Sequence, residues 1–269
     1  MFQQTYELVL FFAIIVVSII SFVKIRFWLL RRSSEKSKSR FCSVDRSNGT
    51  MIRKLIHEIR NPLNSMSLHL QLLAEDLEIQ IPSDHTNDLT RVQRIQDEIQ
   101  RLDQLLSSFQ RYANLPPLQF EVVDLKRVIE DVIDFNAPEA ILQGIEVNCQ
   151  IEDLPPISLD ADQIKQAILN LVLNANQSMN KGGKLHIRVI LLGTLVQIEI
   201  EDTGVGIAPF YQDRIFDLFF STKHNGTGIG LVLAKEIIEG HGGKIQVESQ
   251  QHQGTKIILQ LPIDLEVNQ

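Results

Sequence analysis

The sequence predicts a membrane-anchored, multi-domain chain: an apolar amino-terminal segment, an all-α helical hairpin, and an α/β two-layer sandwich. Three observations predict it. Residues 8–23 carry no charge, helix-period apolar stripes fill two stretches between residues 52 and 109, and helical and strand-like patterns alternate from residue 124 onward. A chain of 269 residues has room for two domains once the apolar segment is set aside.

The apolar segment LVLFFAIIVVSIISFV runs on through Lys24 and Arg26 to Trp28-Leu29-Leu30. At about 1.5 Å per residue, residues 8–30 make a helix of roughly 35 Å, enough to cross a bilayer with some tilt while Lys24 and Arg26 snorkel. No Lys or Arg precedes position 24, whereas Arg31, Arg32, Lys36, Lys38 and Arg40 follow. That asymmetry puts the rest of the chain in the cytoplasm and the first seven or so residues outside. A cleaved signal peptide is the competing reading, but it needs a basic start and a small-residue cleavage site, and neither is present. A helix lying in the interface with Trp28 at headgroup level is the other alternative. Residues 31–47 then read as a basic, Ser-rich linker.

In the hairpin, Ile52, Leu55, Ile59, Leu63, Met66, Leu70, Leu73 and Leu77 form the first stripe, expected to end near Leu77–Gln80. Pro62 falls inside it, where it removes one backbone hydrogen bond and is expected to kink the helix. A turn around residues 81–84 leads to a second helix, from about Asp84 to Ala113. Its stripe is Leu89, Val92, Ile95, Ile99, Leu102, Leu105, Leu106 and Phe109. Two helices cannot close a core alone, so a second copy is expected to complete a dimeric four-helix bundle. Asn114-Leu115-Pro116-Pro117 ends the second helix and divides a domain at 48–115 from one at 116–269. Beyond it the patterns predict helices at 124–135, 161–179 and 227–239. Strands are predicted at 145–151, 184–192, 195–201, 244–249 and 255–261.

Four short segments carry chemistry, each with a plainer alternative. His57 lies off the first stripe beside Glu58, so its imidazole should face solvent or a partner. An exposed histidine held by a carboxylate can serve as a nucleophile, although a surface His-Glu pair is more often just a solvated face. Asn170 and Asn174 stand one turn apart on a helix, where amide oxygens suit Mg²⁺ in company with phosphate oxygens, or simply cap or face water. Asp202-Thr203-Gly204-Val205-Gly206 breaks a strand. There a carboxylate can accept from an exocyclic amine and glycine lets backbone approach a flat ring, or the segment is an ordinary turn. Gly226, Gly228 and Gly230 precede a helix whose first amides could face phosphate, or form a common glycine loop. The absence of a strand directly before that loop disfavours a dinucleotide fold, and the P-loop pattern is absent.

Composition excludes other classes. A net charge of −7 and no DNA-reading motif argue against nucleic-acid binding. Cys42 and Cys149, in separate segments of the expected cytoplasmic part, imply no disulfide. His224, His241 and His252 show no metal-ligand spacing and read as surface or capping residues. Phe216, Phe219 and Phe220 read as loop anchors and core rather than as base-stacking residues, and Lys223 as a solvated loop lysine unless its neighbourhood says otherwise.

Taken together and in order, these segments resemble a sensor histidine kinase of bacterial two-component signalling. LIHEIRNPLN resembles the H box, QAILNLVLNANQSM the N box, EDTGVGI the G1 box, IFDLFFSTK the F box and GTGIGLVLAK the G2 box, over roughly residues 48–262. The short KHNGTGIG segment is most similar to the nitrogen-regulatory-type subgroup. The resemblance implies a Bergerat-type ATPase fold for the second domain and ATP with Mg²⁺ as cofactors. It implies His57 as phospho-acceptor, Glu58 as its base or orienting carboxylate, and Asn61 as the residue that orients water for dephosphorylating the partner. It further implies Asn174 as the Mg²⁺ ligand with Asn170 in support, and Asp202 as the reader of the adenine amine beside Gly204 and Gly206. Lys223, Gly226, Thr227, Gly228 and Gly230 would contact the phosphates. The implied partners are a second copy of the chain and the receiver domain of a response regulator, and the implied place is the bacterial inner membrane, crossed once. The alternatives are an ATP-binding dimeric interaction module and a phosphatase-dominant regulator. With about 20 residues between the apolar segment and the His57 helix, the signal is expected to arrive through the membrane or a membrane-protein partner.

Overall fold

The computed structural model describes residues 45–78, 85–223 and 226–263. The expected membrane segment 8–30, most of the basic linker and the turn at 81–84 lie outside the described residues. Among those described, no helix is long and apolar enough to cross a membrane. The chain divides into two units between Lys54 and Leu55, within the first described helix, and the second unit holds every later element.

Helix α1 spans Asp45–Glu78 and α2 spans His85–Ala113. Within α1, Pro62 is buried and the helix continues through it. Leu55, Met66 and Leu73 of α1 and Leu102 and Leu105 of α2 are buried, and Arg91 Nη1 donates to the Leu72 carbonyl at 2.9 Å. The two helices thus form the expected hairpin. Their stripes are only half covered, because Ile52, Leu63 and Ile99 remain 47%, 39% and 37% exposed.

The remainder runs β1 (Glu121–Val123), α3 (Leu125–Leu142), β2 (Ile145–Ile151), β3 (Ile157–Leu159), α4 (Ala161–Ser178), β4 (Gly183–Leu192), β5 (Leu195–Asp202), α5 (Pro209–Gln212), α6 (Gly230–Gly240), β6 (Lys244–Gln250) and β7 (Gly254–Pro262). Five strands form one mixed sheet in the order β2-β4-β5-β7-β6, with β2 and β4 parallel and the other pairs antiparallel. Alternation explains the single buried face. Leu185, Ile187 and Val189 of β4, Val196, Ile198 and Ile200 of β5, and Ile257, Leu259 and Leu261 of β7 are buried, while His186 and Arg188 between them are exposed. The register sets Ile187 opposite Ile200 and Ile200 opposite Ile257, so one apolar layer crosses the sheet beneath α3, α4 and α6. The result is the predicted two-layer α/β sandwich.

Three local differences from the sequence reading have clear causes. Helix α3 does not stop at Phe135. Asp124 caps its start by accepting from the Lys126 amide at 3.0 Å, and the helix runs past Pro138 to bury Ala140, accepting the loss of one hydrogen bond. Strands β1 and β3, three residues each, form a separate antiparallel ribbon too short to leave a periodic signal. Helix α6 begins at Gly230 rather than at residue 227, since Gly228 takes φ +64° and keeps the preceding loop out of the helical region.

Candidate functional site

Helix α4 is the axis of the site. Ile164, Ala167, Ile168, Leu171, Val172 and Ala175 bury one face, which leaves Asn170, Asn174 and Ser178 aligned on a half-buried face at four-residue intervals. The helix starts at the Asp160 cap, which accepts from the Gln163 amide at 3.0 Å and, from the segment that follows the hairpin, the Gln119 amide at 2.9 Å. Eight residues of helix cover about 12 Å. Along that length each of the three side chains meets a different part of the chain between the end of β5 and the start of α6.

Asn170 lies at the start of α6. Its Oδ1 would sit 3.4 Å from a Cβ placed on Gly230, an ordinary van der Waals contact that sets the two helices side by side there. Its amide donates to the Gln166 carbonyl at 3.0 Å, which turns the oxygen outward. The amino-terminal end of α6 has no side-chain cap, and its first-turn amides are therefore left for a ligand or water.

Asn174 meets Lys223. The ammonium donates to the Asn174 carbonyl at 3.1 Å, to its Oδ1 at 3.4 Å and to Gln177 Oε1 at 3.1 Å. Burial lowers the Lys223 ammonium to about 8, and the negative Asp202 recovers only part of that shift. The plainer alternative of a solvated loop lysine does not hold; in the fold it is a cation held against the helix. Ser221 fixes the loop beneath it, accepting from the Lys223 amide at 3.1 Å, and Gly226 packs against that serine.

At the far end, Ser178 meets Asp202. Asp202 is 7% exposed, and its Oδ1 accepts from Ser178 Oγ and from the Gly204 amide, each at 2.8 Å. Burial raises its carboxyl pKa, and the Gly204, Ser178 and Thr255 donors and the Lys223 charge counter that rise only in part. Gly204 is required here by close approach, since a Cβ on it would stand 2.0 Å from Ser178 Oγ. Gly206 turns against the Gln250 carbonyl in the same way. The room these glycines free is taken by the end of α4 and by the turn between β6 and β7.

The loop between β5 and α6 is pinned by aromatic contacts. Phe219, unusually for a bulky residue, has φ +68°, and its amide donates to the Gly228 carbonyl at 3.1 Å. Its ring stacks on Phe109 of α2 with centroids 6.1 Å apart, so the hairpin and the loop touch. Arg214 lies 4.5 Å over the Phe220 ring, and Lys235 5.2 Å from that of Phe216. Thr227 is half-buried between Gly226 and Gly228.

The structure therefore brings Asn170, Asn174, Asp202, Gly204, Lys223 and Gly230 onto one helix face. His57 and Asn61 are exposed and Glu58 is half-buried on α1, and none of the three joins that group. Sequence reasoning missed Gln177 and Ser178, although their spacing of three and four residues from Asn174 puts them on the same face. It also placed His241 at the surface or in a cap. His241 does sit at the carboxy-terminal end of α6, but it is buried: Nδ1 is 2.7 Å from the Ile237 carbonyl and Nε2 accepts from the Asp160 amide at 3.0 Å. His252 is exposed, and His224 lies outside the described residues.

The donor set fits a magnesium nucleotide. A buried carboxylate at one end suits an amine, an uncapped helix start at the other suits phosphate, and a lysine and an amide oxygen lie between them. Among the described residues no group of three or more His, Cys, Asp or Glu could hold a metal, so a cation at Asn174 would need phosphate oxygens and water to complete its shell.

This combination of a helical hairpin bearing an exposed histidine and a sandwich of this topology defines a class. Residues 47–117 match the His Kinase A (phospho-acceptor) domain, and residues 159–265 match the Histidine kinase-, DNA gyrase B-, and HSP90-like ATPase family. The chain belongs to the sensor histidine kinases. It is 33% identical over 254 residues to Sporulation kinase D of Bacillus subtilis (strain 168), covering 93% of this chain and 49% of that protein. It is 32% identical over 272 residues to Sensor histidine kinase ZraS of Escherichia coli (strain K12), covering 98% of this chain and 56% of that one. The chain thus spans about half the length of these relatives. Among solved structures, the catalytic domain of histidine kinase ThkA is similar with a TM-score of 0.50 and 30% identity, covering 54% of this chain and 96% of that one. The ThkA structure in complex with response regulator protein TrrA shares the fold over 88% of this chain and 67% of that one, with a TM-score of 0.65 and 24% identity.

Proposed function

We propose that this chain is an ATP-dependent histidine autokinase that phosphorylates His57 and passes the phosphoryl group to an aspartate of a response regulator. The observation that carries the reading is the alignment along α4, where Asn170, Asn174 and Ser178 meet Gly230, Lys223 and Asp202 in turn. A nucleotide lying along this face has its base at Asp202 and its phosphates at Lys223 and the glycines 226, 228 and 230, with Thr227 among them. ATP supplies the phosphoryl group and Mg²⁺ offsets its charge. Asn174 offers the metal an oxygen, and Asn170 supports the arrangement. On the hairpin, a ring nitrogen of His57 forms the bond to phosphorus as the bond to the ADP oxygen breaks, while Glu58 holds the proton on the other ring nitrogen. Such transfer depends on positioning and charge stabilisation more than on covalent chemistry by the protein.

The domain division follows this reading: residues 48–115 dimerise and carry the phosphoryl group, and residues 116–269 bind ATP. The exposed Ile52, Ile56, Leu63 and Leu68 of α1 support a homodimer. The uncharged run at 8–23 supports attachment to the bacterial inner membrane by a single span. Asn61, exposed one turn beyond His57, favours a second activity, removal of the phosphate from the regulator.

The test is incubation of the full chain with γ-labelled ATP and Mg²⁺ beside His57→Gln. Acid-labile, alkali-stable label on the wild type alone is expected. Label persisting in the variant overturns His57 as acceptor.

A further inference from the structure

Ser178, the last residue of α4, grips the turn after β5 in three ways. Its hydroxyl lies 2.8 Å from Asp202 Oδ1, its backbone carbonyl accepts from the Val205 amide at 3.2 Å, and Gly204 packs directly on its side chain. The same hydroxyl lies 2.7 Å from the Ala175 carbonyl. A serine has one hydroxyl hydrogen for these two acceptors. An ionised carboxylate is the stronger acceptor, so the hydrogen goes to Asp202 when that group is charged. The Gly204 amide donates to the same Oδ1, and even with the Thr255 amide also serving the carboxyl, Oδ2 keeps lone-pair capacity for a ligand.

We infer that Ser178 is a positioning residue for base recognition: by occupying Oδ1 it fixes Asp202 as an acceptor, and so selects a purine with an exocyclic amine over one with a carbonyl at that position. This rests on the reading that Asp202 meets the nucleotide base. Asp202 is buried and needs donors to remain charged. Without the Ser178 hydroxyl its carboxyl is free to rotate or to take a proton, and a protonated carboxyl donates to a ring carbonyl instead of accepting from an amine.

The experiment is calorimetric titration of the full chain with ADP and with inosine diphosphate, for the wild type, Ser178→Ala and Asp202→Asn. The wild type prefers ADP. In Ser178→Ala the ADP affinity falls by about 3–12-fold, the worth of one hydrogen bond, while the inosine diphosphate affinity holds, so the ratio falls by the same factor. Retained inosine diphosphate binding is also the control for folding. An equal drop for both nucleotides makes Ser178 a structural clamp and overturns its role in selectivity. A wild-type ratio in Ser178→Ala, with the preference lost in Asp202→Asn, overturns Ser178 alone. A wild-type ratio in Asp202→Asn overturns the base-reading role on which the inference stands.

Discussion

The hairpin and the sandwich solve the burial problem differently. In the sandwich, three helices cover one sheet face, and Ile164, Ile168, Leu185, Ile198 and Leu259 are fully removed from water. In the hairpin, two helices share a stripe they cannot close, and Ile52, Ile56, Leu63, Leu68 and Ile99 stay exposed. The sandwich thus closes its core in one copy, whereas the hairpin leaves an apolar surface that the proposed homodimer would cover. The difference teaches where that proposed dimer would form: on the helix that carries His57, not at the nucleotide site.

The largest test of that contrast is Ile56→Lys with Leu63→Lys. Burying an aliphatic side chain contributes about 1.5–3 kcal/mol, and two are lost from each protomer, so dimer affinity should fall more than about 100-fold in sedimentation equilibrium. ADP affinity should stay within about twofold, and a matching loss of nucleotide binding would break the comparison. Next comes Ile168→Ala, at a fully buried position of α4. It should cost about 2–5 kcal/mol in urea unfolding of the sandwich and leave the dimer constant unchanged.

A third test is pH. Lys223 loses its proton at about 8 in the folded chain and near its ordinary 10.5 when unfolded. Between those values the unfolded state binds more protons, so stability rises with pH across that window. A rise of the same size in Lys223→Gln would show that another group causes it. The smallest effect is expected for Phe109→Ala, which removes the Phe109–Phe219 ring stack between α2 and the loop, worth about 0.5–1.5 kcal/mol. Amide exchange around Phe219 should quicken slightly while exchange in β5 holds. No change at Phe219 would mean that the two halves touch without energetic coupling.

Much of this was legible in the residues. The α2 stripe and the 145–151 strand fell within one residue of their observed ends, because long periodic segments announce themselves. The ribbon of β1 and β3 did not, because three residues hold no period, and the helix expected to end at Phe135 is carried on to Leu142 by tertiary burial of Ala140. In the site, the glycines and asparagines stood out as unusual residues in ordered segments. Ser178 and Gln177 did not, because a serine or glutamine near a helix end has many uses. What picks them out is the partner across the fold, Asp202 for one and Lys223 for the other, and a contact between residues more than twenty positions apart is not written in local pattern.

The alignment on α4 also has a consequence for how this protein can change over time. A helix advances by about 100° with each residue, so inserting or deleting a single residue between Asn170 and Ser178 swings one end of the row more than a quarter turn off the shared face. Substitutions along the row weaken contacts one at a time, but a change of length puts the two ends out of phase at once. Descendants of this chain should therefore keep the nine residues from Asn170 to Ser178 invariant in number.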